Sequence, residues 1–294
     1  MALHYKIKEA CKKKQILKII IGLDNFNLSD TVTKVQAAER AGATYVDIAA
    51  NVEILQEIQA ISSLPVCVSS IDIEELFNCS KAGADMLEIG NFDIFYSKGI
   101  TFSKTQVFNL ARDLKNKLPQ ASICVTIPHK LSLQNQIILA KMLEDLGIDL
   151  IQTEGCSSQR YTNNHLVNSI SNASSALSST YVFAKYIKTP IISSSGIHPL
   201  TAPMAISYGA SGIGIGSFFN SCSSPLLRSK NIGSLVYSMQ NSLSLNYEIL
   251  DFFIKKTSCD SFSRSEQDKL YFNQVKLTNT YIPSRYNFNE NKVK

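Results

Sequence analysis

The sequence predicts a single-domain (β/α)8 TIM barrel, and three observations predict it. Short β-branched runs alternate with helical periodicity eight times in about 240 residues. Four of the strands follow one repeated pattern: AGATYVDIAAN from Ala41, AGADMLEIGN from Ala82, LGIDLIQTEG from Leu146 and YGASGIGIGS from Tyr208. The strands are continuously apolar, as in a parallel sheet covered on its outer face. A doubly wound open sheet is the alternative. Against it, the first strand runs into LDNFN with no G-x-G-x-x-G.

The elements follow in order. Residues 1–15 read as a short N-terminal helix plugging the bottom of the barrel, residues 16–256 as the barrel and 257–294 as an extended tail rich in Asn, Ser and Lys. The odd strands are ILKIIIG (16–22), PVCVSS (65–70), SICVTIP (122–128) and PIISSSG (190–196), three of them with a proline at or just before the start. The even strands follow Gly42, Gly83, Gly147 and Gly209, each placed where a helix C′ residue takes positive φ. Helical periodicity covers 29–41, 52–61, 73–82, 103–118, 132–146, 166–187, 201–208 and 232–254.

Composition bounds the function. With 45% hydrophobic and 18% charged residues the chain buries a sizeable core and is not disordered. No apolar run approaches the roughly 20 residues of a membrane span, and no signal-peptide core follows the basic N-terminus. The seven cysteines are odd in number and scattered, which suits a reducing compartment and neither a disulfide framework nor a zinc site. The net charge of +5 sits at the ends: +5 in residues 1–18, +4 in 255–294 and −4 between. A nucleic-acid-binding face is therefore not expected. The sequence leaves a homo-oligomer open.

Alternation along the repeats predicts which side chains face inward. Asp47, Glu88, Gln152 and the vacancy at Gly214 form one unusually polar layer, with Ala49, Gly90, Glu154 and Gly216 above it. The odd strands align as Ile20, Cys67, Cys124 and Ile192, with Gly22, Ser69, Thr126 and Ser194 above. Small and acidic residues in these layers leave a cavity at the C-terminal mouth. Lys18 shares the inward parity, close to the carboxylates. Two readings stand there: a structural ion-pair network of Lys18, Asp47 and Glu88, or a Lys18 amine of depressed pKa for Schiff-base or base chemistry with Glu88 as acid/base partner.

ISSSGIHP after strand seven and ASGIGIGS across strand eight carry a phosphate-site pattern, with Ser195, Gly196, Gly216 and Ser217 as donors and Phe218–Ser221 as a short extra helix. The competing reading is that Gly212, Gly214 and Gly216 only permit close packing where the barrel closes. Other mouth residues are Asp24, Asn25, Asn51, Asn91, Asp93, Lys130 and Glu154, the last beside a loop (155–165) long enough for a lid. Asp72 is placed to cap a helix. His129 is the one histidine placed like a general acid/base, or else it caps a helix. No spacing suggests a metal site or a Ser–His–Asp hydrolase.

GATYVDIAAN, SSID, LEIGNFD, VTIPH, LIQTEG and TAPMAISYGASGIGIGS, in this order, resemble the family of hypothetical chloroplast reading frame twenty-three, found in red-algal and related plastids and in cyanobacteria. The resemblance covers roughly residues 10–255, leaves out the tail and weakens over 156–175. It implies a phosphate-binding-type barrel in the plastid stroma and supplies no activity. More distantly, the strand-seven and strand-eight loops resemble those of thiazole synthase, sugar-phosphate epimerases and flavin-dependent barrels. Three functions follow as expectations: an isomerase or lyase acting on a phosphorylated small molecule, a non-catalytic binding or regulatory barrel, and an FMN-dependent oxidoreductase.

Overall fold

A computed structural model describes residues 3–155, 165–220, 224, 227–228 and 230–240. Eight parallel strands close on themselves in sequence order: β1 (Ile16–Gly22), β2 (Tyr45–Ala49), β3 (Val66–Ser70), β4 (Met86–Ile89), β5 (Ile123–Ile127), β6 (Leu150–Thr153), β7 (Ile191–Ser194) and β8 (Gly212–Ile215). The helices are α1 (Tyr5–Lys12), α2 (Leu28–Arg40), α3 (Val52–Ile61), α4 (Ile73–Lys81), α5 (Asp93–Tyr96), α6 (Lys104–Lys117), α7 (Leu133–Asp145), α8 (His165–Tyr186), α9 (Ala202–Ser207) and α10 (Ser217–Asn220). Residues 230–240 are also helical; the rest of the expected last helix and the 257–294 tail lie outside the described residues.

The repeated glycines act as the sequence predicts. Gly42 sits at φ 83°, and its N–H donates to Glu39 O while Ala43 N–H donates to Ala38 O, closing α2 in a Schellman turn. Gly83, Gly147 and Gly209 close α4, α7 and α9 with the same pair of bonds. The residue two further on ties the turn to the preceding strand. Asp85 accepts from Val66 N at 2.8 Å, Asp149 from Ile123 N at 2.9 Å, and Thr44 Oγ1 from Leu17 N at 3.0 Å. One local device thus ends a helix, starts an even strand and registers it against its neighbour.

Outward strand residues such as Leu17, Ile19, Val46, Val68 and Val125 pack under the helices in one continuous core. Truncating Leu17 or Ile19 to Ala costs about 2–5 kcal/mol. Inside the barrel, Ile7 of α1 packs with Ile16, Tyr45, Cys67, Met86, Cys124, Leu150 and Ile192, so α1 seals the bottom. The pairings Ile16 with Gly212 and Lys18 with Gly214 correct the sequence reading on β1. With the stagger of an eight-stranded barrel, Lys18 and not Ile20 shares the level of Cys67, Cys124 and Ile192. Ile20 stands one layer up: a Cβ on Gly214 would lie 3.2 Å from Ile20 Cδ1 and 3.0 Å from Ser194 Oγ.

Candidate functional site

Polar groups occupy the barrel interior at two heights. In the lower one, Lys18 is fully buried among the strand ends. Its Nζ donates to Glu88 Oε2 and, at 2.9 Å, to Gln152 Oε1, and lies 3.0 Å from Asp47 Oδ2. An ammonium has three protons, and all three have acceptors. Glu88 Oε1 accepts from Thr126 Oγ1 at 3.0 Å and Gln152 Nε2 at 2.9 Å. Asp47 accepts from Ser69 Oγ and, at 3.2 Å, from Asn91 Nδ2. Asn91 takes φ 59° just past β4, a left-handed conformation that Asn tolerates better than most residues.

Burial alone would push the Lys18 ammonium down. The Asp47 and Glu88 carboxylates beside it outweigh that and hold it well above the ordinary lysine value. For Glu88, burial raises the carboxyl, Lys18 opposes, and the like charge of Asp47 adds to the rise. One cation between two acids cannot compensate both. The expectation of an amine of depressed pKa is therefore overturned. Lys18 stays charged because its neighbours stabilise the ammonium more than burial penalises it.

Above this layer lies a cavity of about 220 Å³. Asn91, Thr126, Gln152 and Ile20 line it, with Asp93 and Glu154, the β7 loop (Ser194, Ser195, Gly196) and the β8 loop (Gly216, Ser217). Lys18, Asp47 and Glu88 do not border it. They lie beneath the Gln152, Thr126 and Asn91 side chains, which bond to them from above.

The glycines of the last two strands divide by what a Cβ would meet. At Gly212 it would sit 2.3 Å from Ile16 O, so barrel closure demands that glycine; at Gly214 it would press on the Ser194 and Ile20 side chains at 3.0–3.2 Å, which would have to give a little. At Gly216 the nearest atom is 3.5 Å away, an ordinary contact. The missing side chain there opens space in the cavity and is not required by packing. Gly196 is different again. It takes φ 68°, beside Ser195 at φ 77°, and a Cβ would lie 2.4 Å from the Asn172 carbonyl of α8. The short extra helix begins at Ser217, one residue earlier than expected. It is held by Asn220 Nδ2 donating to Ile20 O at 3.3 Å and by Phe218 edge-on to His198 of the β7 loop, 4.7 Å between ring centroids.

Glu154 marks the other side of the mouth. It is 4% exposed, and its Oε2 accepts from Tyr96 Oη at 2.6 Å, His129 N at 3.1 Å and His129 Nδ1 at 3.0 Å. A carboxylate accepting from Nδ1 puts the proton on that nitrogen, leaving Nε2 as the acceptor in neutral His129. Glu154 Oε1 and His129 Nε2 are buried without a hydrogen-bond partner. His129 does not border the cavity; it stands behind Glu154, its ring edge-on to Tyr96 at 4.9 Å. Burial, then the Glu154 charge, push the Asp93 carboxyl up.

Other expected mouth residues have structural work. Asn51 and Asp72 cap α3 and α4, and Asn25 donates to Asp30 of α2 at 2.8 Å. Tyr96 was not anticipated, since the one-turn α5 that carries it has too few residues to show a period. Asn172 and Asn220, which also border the cavity, come from helices whose sequence pattern reports only packing. The loop expected to act as a lid lies largely outside the described residues.

The fold and this cavity define a TIM barrel with a polar, ligand-sized pocket at the C-terminal mouth of its strands. The chain belongs to the family described as a protein of unknown function (DUF561), whose sequence pattern matches residues 3–249. Relatives described as uncharacterized protein ycf23 include one from Porphyra purpurea, 42% identical over 252 residues, covering 85% of this chain and 92% of the relative. Another, from Cyanophora paradoxa, is 38% identical over 213 residues, covering 72% and 87%. Among solved structures, the fold is shared with thiamine phosphate pyrophosphorylase from Pyrococcus furiosus, at TM-score 0.52 and 17% identity, covering 78% of this chain and 98% of that one. It is shared also with (S)-3-O-geranylgeranylglyceryl phosphate synthase from Thermoplasma acidophilum, at TM-score 0.55 and 13% identity, covering 80% and 98%. No helix among the described residues is long and apolar enough to cross a membrane.

Proposed function

We propose that this barrel binds a small phosphorylated molecule between its β7 and β8 loops and acts on it as an isomerase or lyase. One observation carries the reading: Ser195, Gly196, Gly216 and Ser217 border a single cavity, and the absent side chain of Gly216 opens space there that packing does not need. Backbone N–H groups in such a cup suit a phosphate, which a side chain at this point would block. The names of the two fold neighbours, both of which include a phosphate, agree with the choice of ligand. Lys18, Asp47 and Glu88 have in this reading a structural role beneath the floor, orienting Gln152, Thr126 and Asn91, and His129 holds Glu154.

Titration calorimetry with inorganic phosphate tests the cup. Wild type should bind, and Gly216→Asp should lose about tenfold or more of the affinity, since a carboxylate there repels and occludes the anion. Unchanged binding by the variant would sink the reading.

A non-catalytic binding barrel is the second reading, favoured by the complete pairing of Lys18. FMN is the alternative occupant. A cavity of about 220 Å³ falls below the roughly 300–1,000 Å³ usual for larger ligands, which favours a smaller molecule. Native mass spectrometry with an absorbance spectrum on protein purified without added phosphate separates these: a yellow protein selects the flavin. The compartment proposed is the plastid stroma, on the family resemblance, and organelle fractionation tests it.

A further inference from the structure

Two of the buried polar atoms without a hydrogen-bond partner, Glu154 Oε1 and His129 Nε2, are at the mouth. A buried carboxylate oxygen normally has a donor, because an unsatisfied charged group away from water costs several kcal/mol. Glu154 breaks that rule on one side only. Its Oε2 is gripped by the Tyr96 hydroxyl and by the backbone N–H and ring Nδ1 of His129, while Oε1 has no donor and Glu154 borders the cavity. The carboxylate plane is thus fixed from behind with one lone-pair edge unused. Asp93 borders the same cavity, close enough to Glu154 that its own ionisation is disfavoured by burial first and by that charge second. Two carboxyls set this way divide into a base and an acid.

The distance to the cup is short. Gly155 comes so near Ser195 that a Cβ on it would lie 2.7 Å from the Ser195 Cβ. A phosphate in the cup therefore leaves its first few carbons beside Glu154, and the small cavity takes a short chain.

We propose that Glu154 is the general base of this site and that its substrate class is a short phosphorylated α-hydroxy carbonyl compound, with Asp93 as the acid. This rests on the cup reading above. Glu154 Oε1 takes a proton from the carbon beside the carbonyl. The C–H electron pair becomes the C=C bond of an enediol, the carbonyl π pair moves onto oxygen, and that oxygen takes the Asp93 proton. Reprotonation of the former carbonyl carbon by Glu154, with the neighbouring hydroxyl proton returning to Asp93, completes a 1,2-isomerisation. No electron leaves the substrate and no co-reactant is consumed. His129 and Tyr96 are positioning residues, since they touch Glu154 and do not border the cavity as His129's case shows.

Deuterium wash-in tests the base directly. Dihydroxyacetone phosphate is incubated with the protein in D2O and proton NMR follows exchange at the carbon beside the carbonyl. Wild type should exchange it well above the protein-free rate, and Glu154→Gln should lose about 10²–10⁴-fold of that catalysis. Inorganic phosphate binding by Glu154→Gln should be at least as tight as in wild type, because a like charge beside the anion is removed, and this also shows that the variant is folded. Glu154→Asp, which keeps the charge and draws it back from the substrate, should fall between the two. Wild-type exchange undiminished in Glu154→Gln overturns the assignment, and so does a wild type that binds phosphate yet exchanges nothing. If wild type exchanges hydrogen through Glu154 but shows no phosphate binding in calorimetry, the base stands and the cup reading fails instead.

Discussion

Two acid clusters sit one above the other in this barrel and differ in how completely they are paired. The lower, Lys18 with Asp47 and Glu88, spends every proton of its cation on an acceptor and is sealed from the cavity by Gln152, Thr126 and Asn91. The upper, Glu154 with His129, Tyr96 and Asp93, leaves one carboxylate oxygen of a cavity-lining residue and one ring nitrogen behind it without a partner. Glu154 is buried like the lower acids, so burial of the carboxylate does not separate them. Completeness of pairing does: a saturated network holds shape, and an unsaturated one has something left to offer a ligand.

The largest effect that would test the contrast is on stability. Lys18→Met strands two buried carboxylates and should lower unfolding free energy in urea by about 3–5 kcal/mol. Adding Asp47→Asn and Glu88→Gln should recover most of that, because a neutral layer of similar volume replaces the ions. A single Lys18→Met variant as stable as wild type would mean that the lower cluster is not the structural one. At the mouth, Glu154→Gln should instead cost less than Lys18→Met, since it strands no buried charge.

Next in size comes the link between His129 and Glu154. His129→Ala removes one of the donors to Oε2 and should slow deuterium exchange by roughly tenfold, the worth of one charge-assisted hydrogen bond of about 1.5 kcal/mol. Inorganic phosphate binding by the variant should stay as in wild type, since His129 does not border the cavity. A matching loss of phosphate binding would point to misplacement of the loop and not to the donor.

The smallest effect concerns Asp93. Its folded pKa is raised by burial and by Glu154, so its contribution to stability is present below the ordinary carboxyl value and is lost as pH climbs through the folded one. Wild-type melting temperature should decline slightly across that acidic window, and Asp93→Asn should flatten the slope. An identical slope in both proteins would remove Asp93 from the pair.

Much of this molecule was legible from its residues. The four glycines that close α2, α4, α7 and α9 announced the even strands, because a left-handed residue after an amphipathic run has few other causes. Strand parity then placed Asp47, Glu88, Gln152 and Glu154 inside, since side chains alternate with period two in any strand. Parity could not say how far each strand is staggered against the next, and the reading of β1 was one step off for that reason: Lys18, not Ile20, meets the cysteines. Nor could it separate Gly216, just past the end of β8, from Gly212 at its start, two residues of the same type and parity whose neighbours come from β1.

What the sequence determined alone is therefore periodic and local: eight strand–helix units, the turns between them and the inward set of side chains. Those follow from backbone sterics and from the alternation of apolar and polar positions. The tertiary structure decided which buried charges are satisfied. The ammonium of Lys18 and its carboxylates come from three strands, and the donors of Glu154 from α5 and the end of β5. Hydrogen bonding saturates only at distances near 3 Å, and sequence spacing carries no record of such distances between elements that the fold alone brings together.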